Sequence, residues 1–356
     1  MFPVLLPSEI FVLTFIVSLL IAVFAVLTKG IHIHRTAKGH AGREVQSVHV
    51  VPTPRIGGVG LYLSLIVAAA FGGMTKEFLV VLGAAIPVFV AGFADDLGYS
   101  ISPRNRLFAA MLSSLVAIVL TGHTIARDVF PGFDVFLESI VVSAMFTIFV
   151  TSAVCHAFNL IDGMNGLSST VAIASAVSLA WIAMSVGDQT MFLMALAVTA
   201  AVLGVFVLNF PFGKLFLGDA GAYSVGFFIA WIGVFLIERN PEIASWSILL
   251  AVFWPVMDTI AAVARRVAKR MPIGAPDKMH FHHIVKRLLD LRLKSTNAKR
   301  WSNPLTTVIM APIIVFPPVL AATFYDNAFV ITVCMAACTL LYFGSNRALY
   351  HVPHKL

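Results

Sequence analysis

Long apolar stretches recur along the whole chain, and short polar segments or segments with Pro and Gly separate them. Each stretch approaches the ~20 residues that an α-helix needs to cross the hydrocarbon core of a bilayer. The residues from Phe11 to Leu27 are apolar on every face, whereas a strand of a transmembrane barrel alternates apolar and polar side chains over about ten residues. The pattern therefore predicts an all-α integral membrane protein.

We expect eleven transmembrane helices. No internal repeat, low-complexity segment or long linker divides the sequence, so residues 1–356 are expected to form a single membrane domain. Its two large loops, 29–55 and 265–304, fall on the same side of the membrane. The expected spans are 8–28, 56–74, 77–94, 106–122, 138–157, 168–186, 190–209, 221–237, 245–264, 305–323 and 328–344.

Basic residues are distributed unequally between the two sides. Of the 24 Lys and Arg residues, only Lys76, Arg127 and Arg239 fall opposite the two large loops. Cytoplasmic loops accumulate Lys and Arg, so the N-terminus is expected to be external and the C-terminus cytoplasmic. The net charge of +7 does not indicate a nucleic-acid partner, because these charges lie between spans and not on one soluble face.

Carboxylates gather at the predicted cytoplasmic ends of the spans. Asp95 and Asp96 are adjacent in GFADDLGYS, where the third span ends, and Asp219 lies between glycines just before the eighth span. A carboxylate near hydrocarbon is costly unless it is compensated, and a divalent cation with phosphate would compensate it. These three residues are candidates for catalysis and metal binding. The alternative is that these residues have only structural roles. Asp95 and Asp96 would then mark the point where the helix leaves the membrane, and Asp219 would cap the next helix.

Two further segments carry polar groups suited to an anionic ligand. Asn and Asp side chains in FNLIDGMNGL offer donors and acceptors, although the same residues also form turns. Three imidazoles in PIGAPDKMHFHH lie in the most basic loop, where they could bind a pyrophosphate or move a proton. The zinc spacing H-E-x-x-H is absent. The candidate substrate-binding residues are Asn159, Asp162, Asn165, Lys214, His280, His282 and His283.

Taken together, in this order and on one predicted side, these segments resemble the polyprenyl-phosphate N-acetylhexosamine-1-phosphate transferase family, which belongs to the glycosyltransferase family 4 branch. The resemblance also includes PTPRIGG at 52–58 and WPVMDT at 254–259, and it covers most of the chain. The histidine loop is similar to that of the branch that uses UDP-N-acetylglucosamine or a related UDP-HexNAc. The peptidoglycan branch, which transfers phospho-MurNAc-pentapeptide, carries a different histidine cluster and ranks second.

The resemblance implies an Mg²⁺-dependent enzyme, with Mn²⁺ as the substitute metal. It implies transfer of a HexNAc-1-phosphate, GlcNAc-1-phosphate first, from a UDP-sugar to undecaprenyl phosphate with release of UMP. The product would start a lipid-linked cell-surface glycan such as lipopolysaccharide or O-antigen. The expected location is the bacterial inner membrane, among membrane lipids, with the active site facing the cytoplasm. An oligomer is compatible with the resemblance.

The resemblance also suggests roles for individual residues. By this resemblance, Asp219 would be the metal ligand, and Asp95 with Asp96 would be the acidic pair that handles the metal and the lipid phosphate. The segment from Asn159 to Asn165 would border the nucleotide, and the three histidines would engage the diphosphate or sugar. The chain departs from many relatives at Ala222, where a serine is usual, and some relatives carry a third acid three residues after the acidic pair, where this chain has Tyr99.

Two other classes compete with this interpretation. A transporter would use charged groups near the membrane as coupling sites, but such sites usually lie near the bilayer midplane. Here the acidic residues are predicted at one face. Intramembrane prenyl transfer needs two aspartate-rich sites, and only Asp95 with Asp96 approaches one.

Overall fold

The computed structural model describes residues 5–36, 52–72, 75–127, 134–272, 279–293 and 295–351. Within these ranges the regular secondary structure consists of seventeen helices, without a strand. Most of the predicted loop 29–55 lies outside the described residues, as do residues 273–278 and 294 of the loop 265–304, including Lys278. The all-α prediction is confirmed for the described part of the chain.

The helices follow one another in chain order as α1 to α17. Their bounds are α1 Pro7–Leu27, α2 Lys29–Thr36, α3 Gly57–Phe71, α4 Lys76–Ala84, α5 Ile86–Asp96, α6 Pro103–Thr121, α7 Asp134–Leu137, α8 Ile140–Leu160, α9 Leu167–Ser185, α10 Gln189–Asn209, α11 Gly218–Arg239, α12 Ser245–Ala251, α13 Phe253–Ala268, α14 Phe281–Arg292, α15 Thr296–Lys299, α16 Ser302–Thr323 and α17 Ala328–His351.

Eight of the described helices are long and apolar enough to cross a membrane by themselves: α1, α6, α8, α9, α10, α11, α16 and α17. Two bent pairs, α4 with α5 and α12 with α13, raise the count to ten if each pair is one span. Helix α3 is apolar but has only 15 residues. The chain is therefore a multi-pass membrane protein, while the count of eleven spans stays a prediction.

Prolines coincide with the two bends. Pro87 lies at the start of α5, and Pro255 lies in the first turn of α13. A proline inside a helix removes one backbone donor and clashes with the carbonyl group four residues before it. The axes bend by 41° between α4 and α5 and by 81° between α12 and α13. The expected spans 77–94 and 245–264 are thus each broken into two helices.

Helix α11 lies at the centre of the bundle. Of its most apolar 18-residue stretch, 94% is buried, against 28% for α1 and 22% for α17. A helix that is apolar on all faces can be surrounded by other helices on all sides. Its first turn, which carries Asp219, therefore meets several elements at once.

Glycines bring α3 and α5 into backbone contact with the start of α11. A Cβ atom on Gly58 would lie 2.2 Å from the nitrogen of Gly221, and one on Gly92 would lie 2.6 Å from the nitrogen of Ala220. The amides of Gly57 and Gly58 also donate hydrogen bonds to the carbonyl groups just before α11, at 2.9 Å and 2.8 Å. Only residues without a side chain permit such approach. The ends of three helices therefore converge at Asp219.

Candidate active site

The carboxylate of Asp96 binds the free backbone amides at the start of α11. Its Oδ1 accepts from the amide of Asp219 at 2.8 Å, and its Oδ2 accepts from the amide of Ala220 at 2.9 Å. The first amides of a helix have no partner inside the helix, and the positive end of the helix dipole attracts an anion. Asp96 is only 5% exposed, so it acts as a helix cap supplied by α5. Its role as a metal ligand stays a prediction.

Two arginines bind the neighbouring carboxylates. Arg55, which precedes α3, donates from Nη2 to Asp219 Oδ1 at 2.7 Å, and its Nε lies 3.9 Å from Asp96. Arg106, in the first turn of α6, donates to Asp95 Oδ2 at 3.2 Å and also to Asp219 Oδ2. Both oxygens of Asp219 are thus held by guanidinium groups. The structure brings Asp95, Asp96 and Asp219 together, as predicted from the sequence.

Sequence reasoning missed both arginines as site residues and counted them only as loop charge. A signal was present, because Arg55 lies inside the PTPRIGG segment and Arg106 begins the predicted span 106–122. A charged side chain at a span boundary needs a partner. The guanidinium carbon of Arg106 also lies 5.8 Å from the centre of the Tyr223 ring, one turn after Asp219.

Asp162 joins this group from the turn between α8 and α9. The backbone of Gly218 hydrogen-bonds to it, and Arg55 interacts with it electrostatically. Burial raises the pKa of Asp162 from 3.8 to about 6, although Arg55 opposes the shift. Its Oδ2 atom is buried and accepts no hydrogen bond from the residues that the structure describes. The first three amides of α11 are therefore bound by Asp162 and Asp96.

The carboxylates of this group are the hard oxygen ligands that Mg²⁺ prefers. In the described part of the chain, no three His, Cys, Asp or Glu side chains are arranged to hold a metal ion together. Mg²⁺ usually takes one or two carboxylates and completes its coordination with water and substrate phosphates. Asp219 and Asp95 fit such a site because their partners are arginine side chains, whereas Asp96 and Asp162 are bound to backbone amides of α11. Mg²⁺ binding itself stays a prediction.

The remaining polar candidates have different surroundings. Asn165 is buried, and its amide group donates to the carbonyl of Pro211 at 2.7 Å, while its backbone amide donates to Asn303 at 2.8 Å. The carbonyl group of Asn159 accepts from the amide of Asp162 at 3.2 Å. Lys214 is exposed, with Nζ 5.7 Å from the Phe212 ring. Asn165 therefore fixes the turn that carries Asp162, and substrate binding by these residues stays a prediction.

The three histidines lie at the start of α14 and are anchored by Asp258. His280 is fully buried, and its Nδ1 lies 2.7 Å from Asp258 Oδ2. Asp258 Oδ1 accepts from the amide of Phe281 at 3.1 Å and from the hydroxyl group of Tyr342 at 2.8 Å. Neither Asp258 nor Tyr342 was a candidate from the sequence. The available signal was an acid inside the predicted span 245–264, which often marks a functional position.

The histidines differ in exposure. His282 is buried, with its ring centre 5.6 Å from His280 and 4.3 Å from His283, whereas His283 is half-buried. Burial and the neighbouring His283 hold the pKa of His282 well below its usual value. The ring of His282 is therefore neutral at pH 7.

The profile described as glycosyl transferase family 4 matches residues 78–237. This range includes Asp95, Asp96, Arg106, Asp162 and Asp219. It ends before the histidine loop.

Similar proteins from three bacteria are 26% to 29% identical to this chain over the aligned residues. A probable undecaprenyl-phosphate N-acetylglucosaminyl 1-phosphate transferase of Bacillus subtilis is 29% identical over 277 residues, which cover 76% of each chain. The undecaprenyl-phosphate alpha-N-acetylglucosaminyl 1-phosphate transferase of Escherichia coli K12 is 26% identical over 66% of this chain and 65% of its own length. A decaprenyl-phosphate N-acetylglucosaminephosphotransferase of Mycolicibacterium smegmatis is 26% identical over 69% of this chain and 67% of its own length.

The buried carboxyl group of Asp162 predicts a pH-dependent effect on stability. Its folded pKa of about 6 exceeds the ordinary value of 3.8, so the stability it contributes is full below the ordinary value and is lost as the pH rises through the folded value. Asp162→Asn keeps the shape without the charge. In metal-free buffer, the unfolding temperature of the variant should therefore exceed that of the wild type. This difference should be larger at about pH 7.5 than at about pH 5.

The exposed Asp326 provides the matched control. Asp326→Asn should show no gain that grows with pH. A difference between Asp162→Asn and wild type that is equal at both pH values would contradict the burial argument.

Proposed function

We propose that this chain, which matches the glycosyl transferase family 4 profile over residues 78–237, transfers a HexNAc-1-phosphate, GlcNAc-1-phosphate first, from a UDP-sugar to undecaprenyl phosphate. UMP is the second product. The names of the relatives, which specify polyprenyl-phosphate N-acetylglucosamine-1-phosphate transferases, support the acceptor and the sugar. The observation that carries the proposal is the group formed by Asp95, Asp96, Asp219, Arg55 and Arg106 at the start of α11.

The reaction exchanges one phosphorus–oxygen bond for another. An oxygen of the lipid phosphate forms a bond to the β-phosphorus of the UDP-sugar, and the bond from that phosphorus to the bridging oxygen breaks, so that UMP leaves. The lipid phosphate is largely ionised near pH 7, because its second pKa is about 6 by analogy with phosphorylated side chains. Little proton removal is needed. The protein must mainly position two anions and stabilise their charge.

Arginine is the side chain best suited to that task. A guanidinium group binds phosphate oxygens through two parallel hydrogen bonds. Arg55 and Arg106 are 17% and 15% exposed, so neither side chain is fully enclosed by the protein. We therefore propose that these two arginines bind the phosphates of the donor and the acceptor. Each arginine would then give up part of its contact with Asp219.

Asp219 and Asp95 are the residues that would hold Mg²⁺, which neutralises the diphosphate when bound. Four acids meet two arginines in this group, namely Asp95, Asp96, Asp162 and Asp219 against Arg55 and Arg106. The excess negative charge supports a cation there. Mn²⁺ is the substitute metal in this proposal.

The other candidates would bind the rest of the donor. The loop that carries His280, His282 and His283 is assigned to the diphosphate, and the segment from Asn159 to Asn165 to the nucleotide. Holding the metal and binding the phosphates are separate tasks. The residues assigned to them also lie apart, because Asp219 is on α11 and the histidine loop is anchored by Asp258 on α13. The lipid product would start a cell-surface glycan such as O-antigen.

We further propose eleven spans in the bacterial inner membrane, with the N-terminus external and the active site facing the cytoplasm. The supporting observation is the distribution of Lys and Arg, of which all but three lie on the side of the two large loops. In this arrangement the lipid phosphate reaches the site at the interface, and the nucleotide arrives from the cytosol.

The orientation can be tested by cysteine labelling after replacement of Cys155, Cys334 and Cys338. A single cysteine at Glu242, which is exposed between α11 and α12, should react with an impermeant thiol reagent in intact cells. A cysteine at Arg287, which is exposed on α14, should react only after the cells are opened. The opposite pattern would place the site on the external face and contradict the proposal.

A donor screen tests the reaction itself. Purified protein with undecaprenyl phosphate, Mg²⁺ and UDP-GlcNAc should give a lipid-linked sugar diphosphate and UMP, both identified by mass. Asp219→Asn removes the charge but keeps the size, and turnover should fall by orders of magnitude, as expected when an electrostatic group at the reacting centre is lost. Product from UDP-MurNAc-pentapeptide but not from UDP-GlcNAc would move the chain to the peptidoglycan branch. Normal turnover by Asp219→Asn would contradict the site assignment.

A further inference from the structure

Asp258 joins three separate parts of the molecule. It lies fully buried on α13, and its two oxygens accept from His280 Nδ1, the amide of Phe281 and the hydroxyl group of Tyr342. The first two donors belong to the histidine loop, and the third belongs to the C-terminal helix α17. One carboxylate thus ties the histidine loop to two membrane helices.

The contacts fix both the backbone and the ring at the start of α14. The amide of Phe281 is the first amide of that helix, so Asp258 satisfies one of the donors that have no partner inside it. Because His280 Nδ1 lies at hydrogen-bond distance from a carboxylate, its proton is placed on Nδ1 when the ring is neutral. The orientation of the ring and the direction of α14 are therefore set by the same group.

Tyr342 is itself held firmly. Its ring centre lies 5.5 Å from that of Trp254 and 5.7 Å from that of Phe281, in tilted or edge-to-face arrangements. Aromatic pairs in such arrangements are favourable. The hydroxyl group is directed to Asp258 by this packing, so α17 supports the histidine loop although no sequence motif pointed to it.

The three histidines are not equally able to meet a substrate. His280 and His282 are 0% and 1% exposed, whereas His283 is half-buried. The ring of His283 packs directly on His282, with 4.3 Å between centres. Its position therefore depends on the two buried rings beneath it.

We propose that Asp258 and Tyr342 are positioning residues for donor binding. They hold His280 and the first turn of α14, and thereby set the place at which His283 meets the diphosphate of the nucleotide sugar. This inference rests on the proposed function for the identity of the ligand. The charged and titratable groups around the anchor are His280, His282 and His283 on the loop, Tyr342 on α17 and Arg265 on α13.

Tyr342→Phe removes one hydrogen bond and keeps the ring. We expect the KM for UDP-GlcNAc to rise about tenfold, the effect of losing one hydrogen bond to a charged group, while kcat changes by less. Asp258→Asn should raise KM further. Combining Tyr342→Phe with His283→Gln should raise KM by less than the product of the two single effects, because both act through one contact.

Tyr325→Phe is the matched control. Tyr325 lies in the connection between α16 and α17, before α17 begins at Ala328, whereas Tyr342 lies in the second half of α17. The KM of Tyr325→Phe for UDP-GlcNAc should therefore stay at the wild-type value. If Tyr342→Phe left KM unchanged, or lowered kcat and thermal stability with no change in KM, the positioning role would be wrong.

Hydrogen exchange gives a test that does not require turnover. The amides at the start of α14, from Phe281 to Val285, should exchange faster in Tyr342→Phe and Asp258→Asn than in wild type. Unchanged exchange in both variants would overturn the inference. If wild type formed no product from any UDP-sugar while exchange rose as expected, the proposed donor would be wrong and the anchor would stand.

Discussion

The structure depends on one contact, the carboxylate of Asp96 against the unpaired amides at the start of α11. A helix that begins inside a membrane bundle has little water to satisfy its first amides, so a carboxylate from a neighbouring helix takes that role. The contact requires α5 to approach α11 at backbone distance, which Gly92 permits. It fixes Asp219, whose own amide it binds, between the guanidinium groups of Arg55 and Arg106. The position of Asp219 is thus determined by how the helix begins.

The same device recurs at the histidine loop. Asp258 binds the first amide of α14 and the ring of His280, much as Asp96 binds the first amides of α11. In both places an acid on one helix stabilises the start of another and orients a side chain of the site. A buried carboxylate that is fully hydrogen-bonded fixes the positions of its partners. If those partners are removed, an unpaired charge is left in the interior, which destabilises the fold. Loss of either acid should therefore affect folding and function together.

The sequence predicted the coarse fold because the bilayer constrains it. Each span needs about 20 apolar residues, and the hydropathy pattern located the starts of the described membrane helices to within a few residues, whereas α17 ends seven residues beyond the predicted bound. The bends within 77–94 and 245–264 were missed, although Pro87 and Pro255 mark them. Hydropathy averages over a window and does not register where one proline interrupts the hydrogen bonds of a helix.

The grouping of acids at the candidate site was predicted in part for a similar reason. Acids and histidines in an apolar chain are conspicuous, and Asp95, Asp96, Asp162 and Asp219 do lie together. Adjacent residues on a helix point about 100° apart, so Asp95 and Asp96 have different partners that their sequence positions could not reveal. Partners such as Tyr342 come from distant segments.

The most direct test of the account is hydrogen exchange at the start of α11, compared between Asp96→Asn and Asp95→Asn. Exchange of a hydrogen-bonded amide reports the free energy of opening that bond. If Asp96 is the cap, the amides of Asp219 and Ala220 should exchange at least about tenfold faster in Asp96→Asn, while Asp95→Asn should leave them near the wild-type rate. Wild-type exchange in Asp96→Asn, together with loss of transfer activity, would contradict the account and identify Asp96 as a ligand of metal or substrate instead.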